Sequence, residues 1–335
     1  MHAAAAVAVW GVTRGRTEPS TVAASPRFGF HSRPMRLYYY QDSYGNFGDE
    51  LNEWLWRRVL PPGFERSNDA LLLGIGTLIR QELPEDAIKV VLGAGAGYGE
   101  LPKLDERWRF YAVRGPRTAA ALGLPADLAM TDAAALVNAL EPIAGARHGV
   151  GFMPHHVSRD LYDWASLCRR VGLVYLDPRA SVPKLLARIK TLKLVVAEAM
   201  HGAIVADALR VPWVPVRAYD HINAFKWNDW TESLELTYEP ADLPALADNH
   251  QLHPARRLRA YAKQAWRRKS LTRQGAPDRQ VPSSSIDVDR AESALAELAR
   301  EGHGRLSDDG VLADRIKRLQ DAVARVSADW CGPAA

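Results

Sequence analysis

The sequence predicts an α/β protein made of two doubly wound, Rossmann-like domains. Short apolar runs alternate with helical patterns from Met35 onward. Several of these runs are continuously apolar, which is typical of strands buried on both faces of a parallel sheet. The alternation occurs twice, on either side of a break near residues 140–148. Strand-then-helix repetition favours βαβ units, so two tandem sets predict two similar domains facing each other across a cleft.

The expected strands fall into two sets along the chain. The strands of the first set are residues 36–40, 70–74, 89–93 and 109–113, and those of the second set are 149–153, 172–176, 192–197 and 213–216. The clearest helical patterns cover residues 50–59, 117–122, 182–189 and 203–209. Ligands of open α/β sheets bind at the carboxyl ends of strands, so binding residues are expected in the loops that follow them.

The chain divides into segments of different composition. We expect a disordered extension or a non-native upstream start at 1–34, Rossmann-like domains at 35–145 and 146–245, a basic helical segment at 246–275, a linker at 276–286 and amphipathic helices at 287–335. The apolar run near the N-terminus lacks the preceding basic residues of an export signal. Leu312, Ile316, Leu319 and Val323 recur at helical spacing in the last segment.

Composition excludes several classes of protein. The 335 residues are 47% hydrophobic, but no run approaches the roughly 20 apolar residues that span a bilayer. A net charge of +4 is mild for this length and does not suggest a nucleic-acid-binding protein. The two cysteines form no disulfide framework or metal-ligand spacing, which favours a reducing, cytoplasmic setting.

Three loops of the first half are candidates for ligand binding. The first strand leads into Asn46, Gly48 and Asp49, where Asp49 is either a functional carboxylate or a helix N-cap. Gly76 and Gly95 follow the next two strands and are expected to line the cleft. The glycines around Gly95 do not match a dinucleotide fingerprint, because Tyr98 stands where that fingerprint needs a glycine or alanine.

Basic residues also follow predicted strands. Arg114, at a strand end beside a helix N-terminus, is well placed to bind a carboxylate or phosphate. Arg217 ends the last strand of the second set and Lys226 follows it. An ion-paired arginine is the alternative interpretation of Arg114.

The second half adds histidines at strand ends. His201 follows the most apolar strand and directly precedes a helix, where it can donate to an anion or act as an acid. Glu198 lies in the same loop, and His155 and His156 follow an earlier strand, so these three are expected to line the cleft. No carboxylates or further histidines stand at metal-ligand spacing, so no metal is expected.

These loops, in this order, resemble the polysaccharide pyruvyltransferase family, in particular its ketal-forming, succinoglycan-type members. The resemblance covers about residues 35–236 and rests on the following segments: Asn46-Phe47-Gly48-Asp49, Val113-Arg114-Gly115, Thr131-Asp132-Ala133-Ala134, Ala199-Met200-His201-Gly202 and Lys226. The chain departs from the family at Gly115, which replaces an aspartate, and at Ala199, which replaces an arginine.

The resemblance implies transfer of a pyruvyl group from phosphoenolpyruvate to a sugar, with no metal or organic cofactor, on a GT-B-like fold. His201 is then the acid or the phosphate-binding group, and Asp49 the base. Arg114, Arg217, Lys226 and Gly202 are expected to bind phosphoenolpyruvate, one cation substituting for the family arginine at Ala199. Asn46, Gly76, Gly95, His155, His156 and Glu198 are expected to line the cleft or to contact the acceptor, an oligosaccharide or lipid-linked saccharide.

Two alternatives stay open at the level of sequence. A GT-B glycosyltransferase would bind a nucleotide sugar, whereas a non-catalytic scaffold of polysaccharide assembly would lack convergent polar groups. The basic cluster from Arg256 to Arg273 predicts peripheral contact with the anionic inner face of the cytoplasmic membrane, or else a solvated helix face. Nothing else in the chain supports a nucleic-acid partner.

Overall fold

The computed structural model describes residues 35–65, 69–141, 145–248 and 283–331. The extension predicted at 1–34 lies outside the described residues, as do the basic cluster of residues 256–273 and most of the predicted linker. One compact unit contains both of the sheets described below. The expectation of an α/β protein with parallel sheets is confirmed.

The first sheet is parallel throughout. Its strands, in spatial and chain order, are β1 (Arg36–Tyr38), β2 (Ala70–Leu73), β3 (Ile88–Leu92) and β4 (Trp108–Ala112). Helix α1 (Phe47–Val59) joins β1 to β2, and α2 (Pro116–Ala121) follows β4. Segments 74–87 and 93–107 connect the remaining strands without a helix and are rich in glycine and proline, residues that disfavour helix interiors.

The second sheet is also parallel, with the described strand order β6-β5-β7-β8-β9. These strands are β5 (Val150–Met153), β6 (Val174–Tyr175), β7 (Leu194–Ala197), β8 (Trp213–Arg217) and β9 (Ala241–Asp242). The described helices of this half are α3 (Val137–Leu140), α4 (Trp164–Arg170), α5 (Val182–Ile189), α6 (Met200–Ala208) and α7 (Ala224–Ser233). The central strand β7 is buried along its whole length, as its continuous apolar run predicts.

Two C-terminal helices complete the two halves. Helix α8 (Ser285–Glu301) packs Ala291 and Leu295 into the core beside the second sheet. Helix α9 (Asp309–Val326) returns to the first sheet and packs against β3 and β4. Within the described residues, no helix is long and apolar enough to cross a membrane.

A continuous hydrophobic cluster joins the two sheets. Phe47 and Leu51 of α1 belong to the same buried cluster as Leu185 of α5 and Ile204 of α6. Helix α1 therefore packs against helices of the second half. This packing brings the N-termini of α1 and α6, and hence Asp49 and His201, into one region.

Candidate active site

The N-terminus of α1 holds Asp49 in a fixed orientation. Asn46 is the helix cap, and its side-chain oxygen accepts a hydrogen bond from the backbone N–H of Gly48 at 3.2 Å. The Asn46 amide donates to Oδ2 of Asp49 at 2.8 Å. The cap of this helix is therefore Asn46 and not Asp49, which leaves the second carboxylate oxygen, Oδ1, for other contacts.

A buried asparagine docks the loop after β2 onto α1. The side chain of Asn52 makes two hydrogen bonds with the backbone of Ile75. Nδ2 of Asn52 donates to the Ile75 carbonyl oxygen at 3.0 Å, and Oδ1 of Asn52 accepts from the Ile75 N–H at 2.8 Å. The adjacent Gly76 has a φ of +106°, a conformation that suits glycine. A Cβ at Gly76 would lie 3.8 Å from Oδ1 of Asp49, so this glycine borders the carboxylate.

His201 packs directly against the start of α1. It is the second residue of α6, and its side chain is 14% exposed. A Cβ placed on Gly48 would lie only 2.1 Å from its Nδ1, a distance that side chains do not tolerate. The glycine of the Asn46–Asp49 segment therefore makes room for the imidazole.

Asp132 lies on the other side of the His201 ring. It is completely buried and caps the short 3₁₀ helix Ala133–Leu136, with Oδ1 accepting from the backbone N–H of Ala134 at 3.0 Å. Its Oδ2 lies 3.7 Å from Nε2 of His201. Carboxylate and imidazole therefore face each other inside the protein.

Lys226 joins the site from α7. Asn223 caps this helix and donates to the backbone oxygen of Gly97 at 2.7 Å, which docks the loop after β3. Nζ of Lys226 lies 3.1 Å from the Tyr98 hydroxyl and 4.6 Å from the centre of its ring. The tyrosine thus holds the ammonium by both a hydrogen bond and a cation–π contact.

The electrostatics link Asp49 to His201 and Lys226. Burial raises the pKa of the Asp49 carboxyl, and the nearby charges of His201 and Lys226 lower it in part. The net effect is upward. A carboxylate with a raised pKa has a greater proton affinity, which suits general base catalysis.

Arg114 does not have the predicted role of a ligand-binding arginine. Its side chain is fully buried and ion-paired with the equally buried Asp229, with Nε donating to Oδ2 at 2.9 Å. The remaining nitrogens donate to Thr77 Oγ1 and to the backbone oxygen of Ala96. A Cβ at Gly95 would lie 2.3 Å from Cζ of Arg114, so this glycine accommodates the guanidinium. The ion-paired alternative describes Arg114, which fixes the loops after β2 and β3.

Arg217 and Gly202 also make other contacts than those expected. Arg217 is exposed at the end of β8 and pairs with Asp242 of the edge strand β9 at 2.8 Å. A Cβ at Gly202 would lie 2.7 Å from Sδ of Met153, so the glycine allows α6 to pack closely on the end of β5. Of the basic residues predicted to bind phosphoenolpyruvate, Lys226 is the one whose charge acts on Asp49.

Glu198, His155 and His156 form a second polar cluster. Glu198 is buried and accepts from the backbone N–H groups of His155 and Ala218, which ties the ends of β5 and β8 to the end of β7. Burial raises the pKa of its carboxyl. The ring of His155 packs against those of His156 and His221, at 4.2 and 5.0 Å between ring centres. The contacts of Glu198 are structural, because both oxygens hold backbone groups.

Sequence reasoning missed several residues of this region. Asp132 stands within a segment used for the resemblance, yet its spacing gives no sign that it faces His201. Tyr98 stood out only as a break in a glycine pattern, and Asp229 lies in a helix that the sequence did not predict. Within the described residues, no three His, Cys, Asp or Glu side chains are grouped to hold a metal ion.

Comparison with known proteins shows the family of this chain. A family model described as polysaccharide pyruvyl transferase matches residues 27–221. The chain is also similar to the succinoglycan biosynthesis protein ExoV of Rhizobium meliloti (strain 1021), with 43% identity over 215 residues, which cover 63% of this chain and 68% of that protein. The chain belongs to the polysaccharide pyruvyl transferase family, and the resemblance seen in its motifs is confirmed.

Proposed function

We propose that the protein transfers a pyruvyl group from phosphoenolpyruvate to two hydroxyls of one sugar in a bacterial exopolysaccharide or its lipid-linked precursor. The product is a cyclic pyruvate ketal and inorganic phosphate. The observation that supports this best is the convergence of Asp49, His201 and Lys226 from three different helices. The family supports pyruvyl transfer, and the name of the relative supports a role in exopolysaccharide biosynthesis.

The donor is an anion, and two features of the site would attract it. Lys226 supplies an ammonium that Tyr98 already orients. The N-terminus of α6, which begins at Met200, supplies the positive end of a helix dipole beside His201. We assign the phosphate and carboxylate of phosphoenolpyruvate to these two features, with Lys226 substituting for the family arginine at Ala199.

The proposed reaction balances with two protein groups that move protons. Protonated His201 gives its proton to the methylene carbon, which makes the methyl group and an electron-poor carbon. The first sugar hydroxyl adds to that carbon and its proton passes to Asp49. Phosphate leaves with the proton from Asp49, the second hydroxyl adds, and its proton returns to His201. His201 and Asp49 are then back in the protonation states in which they began the reaction.

The architecture supports a further proposal about the fold. Two parallel sheets, with site residues contributed by both halves of the chain, agree with a GT-B-like arrangement. Asp49, Tyr98 and Asp132 come from the first half, and His201 and Lys226 from the second. In such an arrangement, a ligand bound between the halves would touch residues from both.

A ligand comparison combined with one variant tests the function. Phosphoenolpyruvate should raise the melting temperature and a nucleoside diphosphate should not, which separates this proposal from a glycosyltransferase. His201→Ala should lower the rate of phosphate release in the presence of acceptor by about 10²–10⁴-fold, the usual contribution of an acid–base group. Stabilisation by the nucleotide alone, or a variant within a few-fold of the parent, would contradict the proposal.

Location is a separate proposal that rests on sequence. The cationic residues between Arg256 and Arg273 would contribute about 1 kcal/mol each near an anionic lipid surface. We propose peripheral, charge-dependent contact with the cytoplasmic face of the membrane, where a lipid-linked acceptor would be found. Flotation with anionic and neutral liposomes tests it: binding to anionic liposomes should weaken with salt, and no binding at low salt would end the proposal.

A further inference from the structure

A pocket of about 490 Å³ lies along the outer face of α1. Its walls come from the loop that follows β1, from α1 as far as Arg58 and from the start of α5. Its volume falls within the roughly 300–1,000 Å³ that is usual for small-molecule sites. Both halves of the chain therefore shape it.

The pocket reaches the candidate active site through Asp49. Asn46 and Asp49 line its inner end, whereas His201, Lys226 and Asp132 are not part of its described lining. The carboxylate of Asp49 therefore lies both in the lining of the pocket and beside His201 and Lys226. A ligand in the pocket would approach Asp49 from a different side than a ligand held by Lys226.

The lining is chemically suited to a sugar. Tyr39, Tyr40 and Trp54 supply aromatic rings, and Glu50 and Glu53 supply carboxylates on the same wall. Aromatic rings offer an apolar surface to the C–H face of a sugar ring, and carboxylates accept hydrogen bonds from its hydroxyls. Tyr39 already donates to Oε2 of Glu53 at 3.2 Å, so one aromatic residue and one acceptor are held together.

The same lining is unsuited to an anion such as phosphoenolpyruvate. Asp49, Glu50 and Glu53 place three carboxylates in this lining, and burial together with the charges of the other two raises the pKa of Glu50. The basic residues of the outer end are already engaged. Arg57 pairs with Glu53 at 3.1 Å, and the guanidinium of Arg58 lies 4.4 Å from the ring of Trp54.

We propose that this pocket is the subsite for the acceptor saccharide, with the reacting hydroxyl at Asp49 and the rest of the sugar lying along α1 towards Trp54. This proposal rests on the proposed function, since it assigns the second substrate of that reaction. The path from Asp49 to Arg57 rises about 12 Å at 1.5 Å per residue, which is room for more than one sugar ring. Donor and acceptor would then meet at Asp49 from opposite sides.

A blocking variant tests the subsite. Ser181 lines the pocket, is exposed, and makes no side-chain cap bond at the start of α5, so Ser181→Trp adds bulk without removing a contact. Ala187→Trp adds the same bulk at an exposed position of the same helix outside the pocket and is the matched control. Binding of methyl β-D-glucopyranoside and methyl β-D-galactopyranoside is measured by saturation-transfer NMR, and donor binding by the thermal shift with phosphoenolpyruvate. Thermal melts confirm that both variants fold.

We expect Ser181→Trp to weaken glycoside binding by about tenfold or more, equivalent to about 1.4 kcal/mol or more, while Ala187→Trp leaves it unchanged. The shift with phosphoenolpyruvate should be the same in all three proteins. Equal glycoside binding by parent and Ser181→Trp would overturn the subsite, as would a parent that binds neither glycoside. If no protein responds to phosphoenolpyruvate but Ser181→Trp still loses the glycoside, the pyruvyl donor is wrong and the saccharide subsite stands.

Discussion

Nε2 of His201 lies 3.7 Å from Oδ2 of Asp132, and both atoms are buried without a hydrogen-bond partner among the described residues. A distance of 3.7 Å is longer than that of a hydrogen bond. Buried polar atoms rarely lack a hydrogen-bond partner. A small rotation of the imidazole would close the contact. We infer that Asp132 is a positioning residue, which fixes the orientation of the ring relative to Gly48 and Asp49.

Asp132→Asn should lower kcat by about 10–100-fold, by analogy with carboxylates that orient metal-bound histidines, because the imidazole would lose the charged group that faces it. Asparagine also caps helices, so the cap on the 3₁₀ helix and the fold should survive. Phosphate-release kinetics with varied phosphoenolpyruvate measure kcat and KM separately. A change confined to KM, or no change, would show that Asp132 does not act through His201.

Gly48→Ala should lower kcat by about 10²-fold, because the new Cβ would displace the His201 ring by a large fraction of an ångström or more. Alanine favours helices, so the start of α1 should not be weakened on its own account. Gly145→Ala is the matched control, since a Cβ there meets nothing within 4 Å. Equal turnover by the parent and both variants would mean that the position of the ring does not matter.

Asp49→Asn should stabilise the protein at neutral pH while it removes activity. Burial raises the pKa of Asp49 in the folded state, so ionising this carboxylate lowers the stability of the fold as pH rises through that pKa. The asparagine removes that penalty. The gain in unfolding free energy should therefore be absent well below the ordinary aspartate pKa of about 3.9, where the carboxyl is protonated in the folded and unfolded states alike, and should grow as the pH rises above it.

Denaturant unfolding of parent and Asp49→Asn at several pH values measures this gain. Phosphate release from the same samples measures activity. A variant that is less stable than the parent at neutral pH would show that the contacts of the ionised carboxylate with His201 and Lys226 outweigh its burial.

Arg114→Ala should lower the free energy of unfolding by roughly 3–5 kcal/mol, because it leaves the carboxylate of Asp229 buried without its cation. Arg117→Ala, three residues further along in α2, is the control. Its partner Glu232 is 37% exposed, and an exposed pair contributes about 0–1 kcal/mol. Urea unfolding compares the two. A normally stable Arg114→Ala protein with weakened phosphoenolpyruvate binding would restore the ligand role that the sequence predicted.

The fold could be predicted to the extent that it depends on local pattern. Residues 182–189 have a helical pattern and form α5, and the predicted strands end within two residues of the observed ones. Helices α4 and α7 and strand β9 were not predicted. Helix α7 carries Trp227 and Trp230 but is polar along most of its length, so its helical pattern is weak, and the core that it joins is assembled from distant segments.

The sequence predicted some residues of the site and missed others, because local pattern does not show tertiary contacts. Asp49, His201 and Lys226 follow strands, and the parallel sheets bring such loops together. The hydrogen-bond and ion-pair partners of buried side chains could not be predicted from the sequence, because they depend on packing between elements that are distant along the chain. Asp229 lies 115 residues from Arg114, and that one ion pair changes the role of the arginine from binding a ligand to holding two loops.

Mass spectrometry of the product formed in D₂O tests most directly whether His201 protonates the methylene carbon of phosphoenolpyruvate during transfer to a sugar. The protein is incubated with phosphoenolpyruvate and acceptor glycoside, and phosphate release is followed in parallel. We expect one phosphate per pyruvyl ketal and a single deuterium in each ketal methyl group, and we expect His201→Ala to release no phosphate and form no ketal. Ketal formed without that deuterium, or undiminished formation by His201→Ala, would contradict this role of His201.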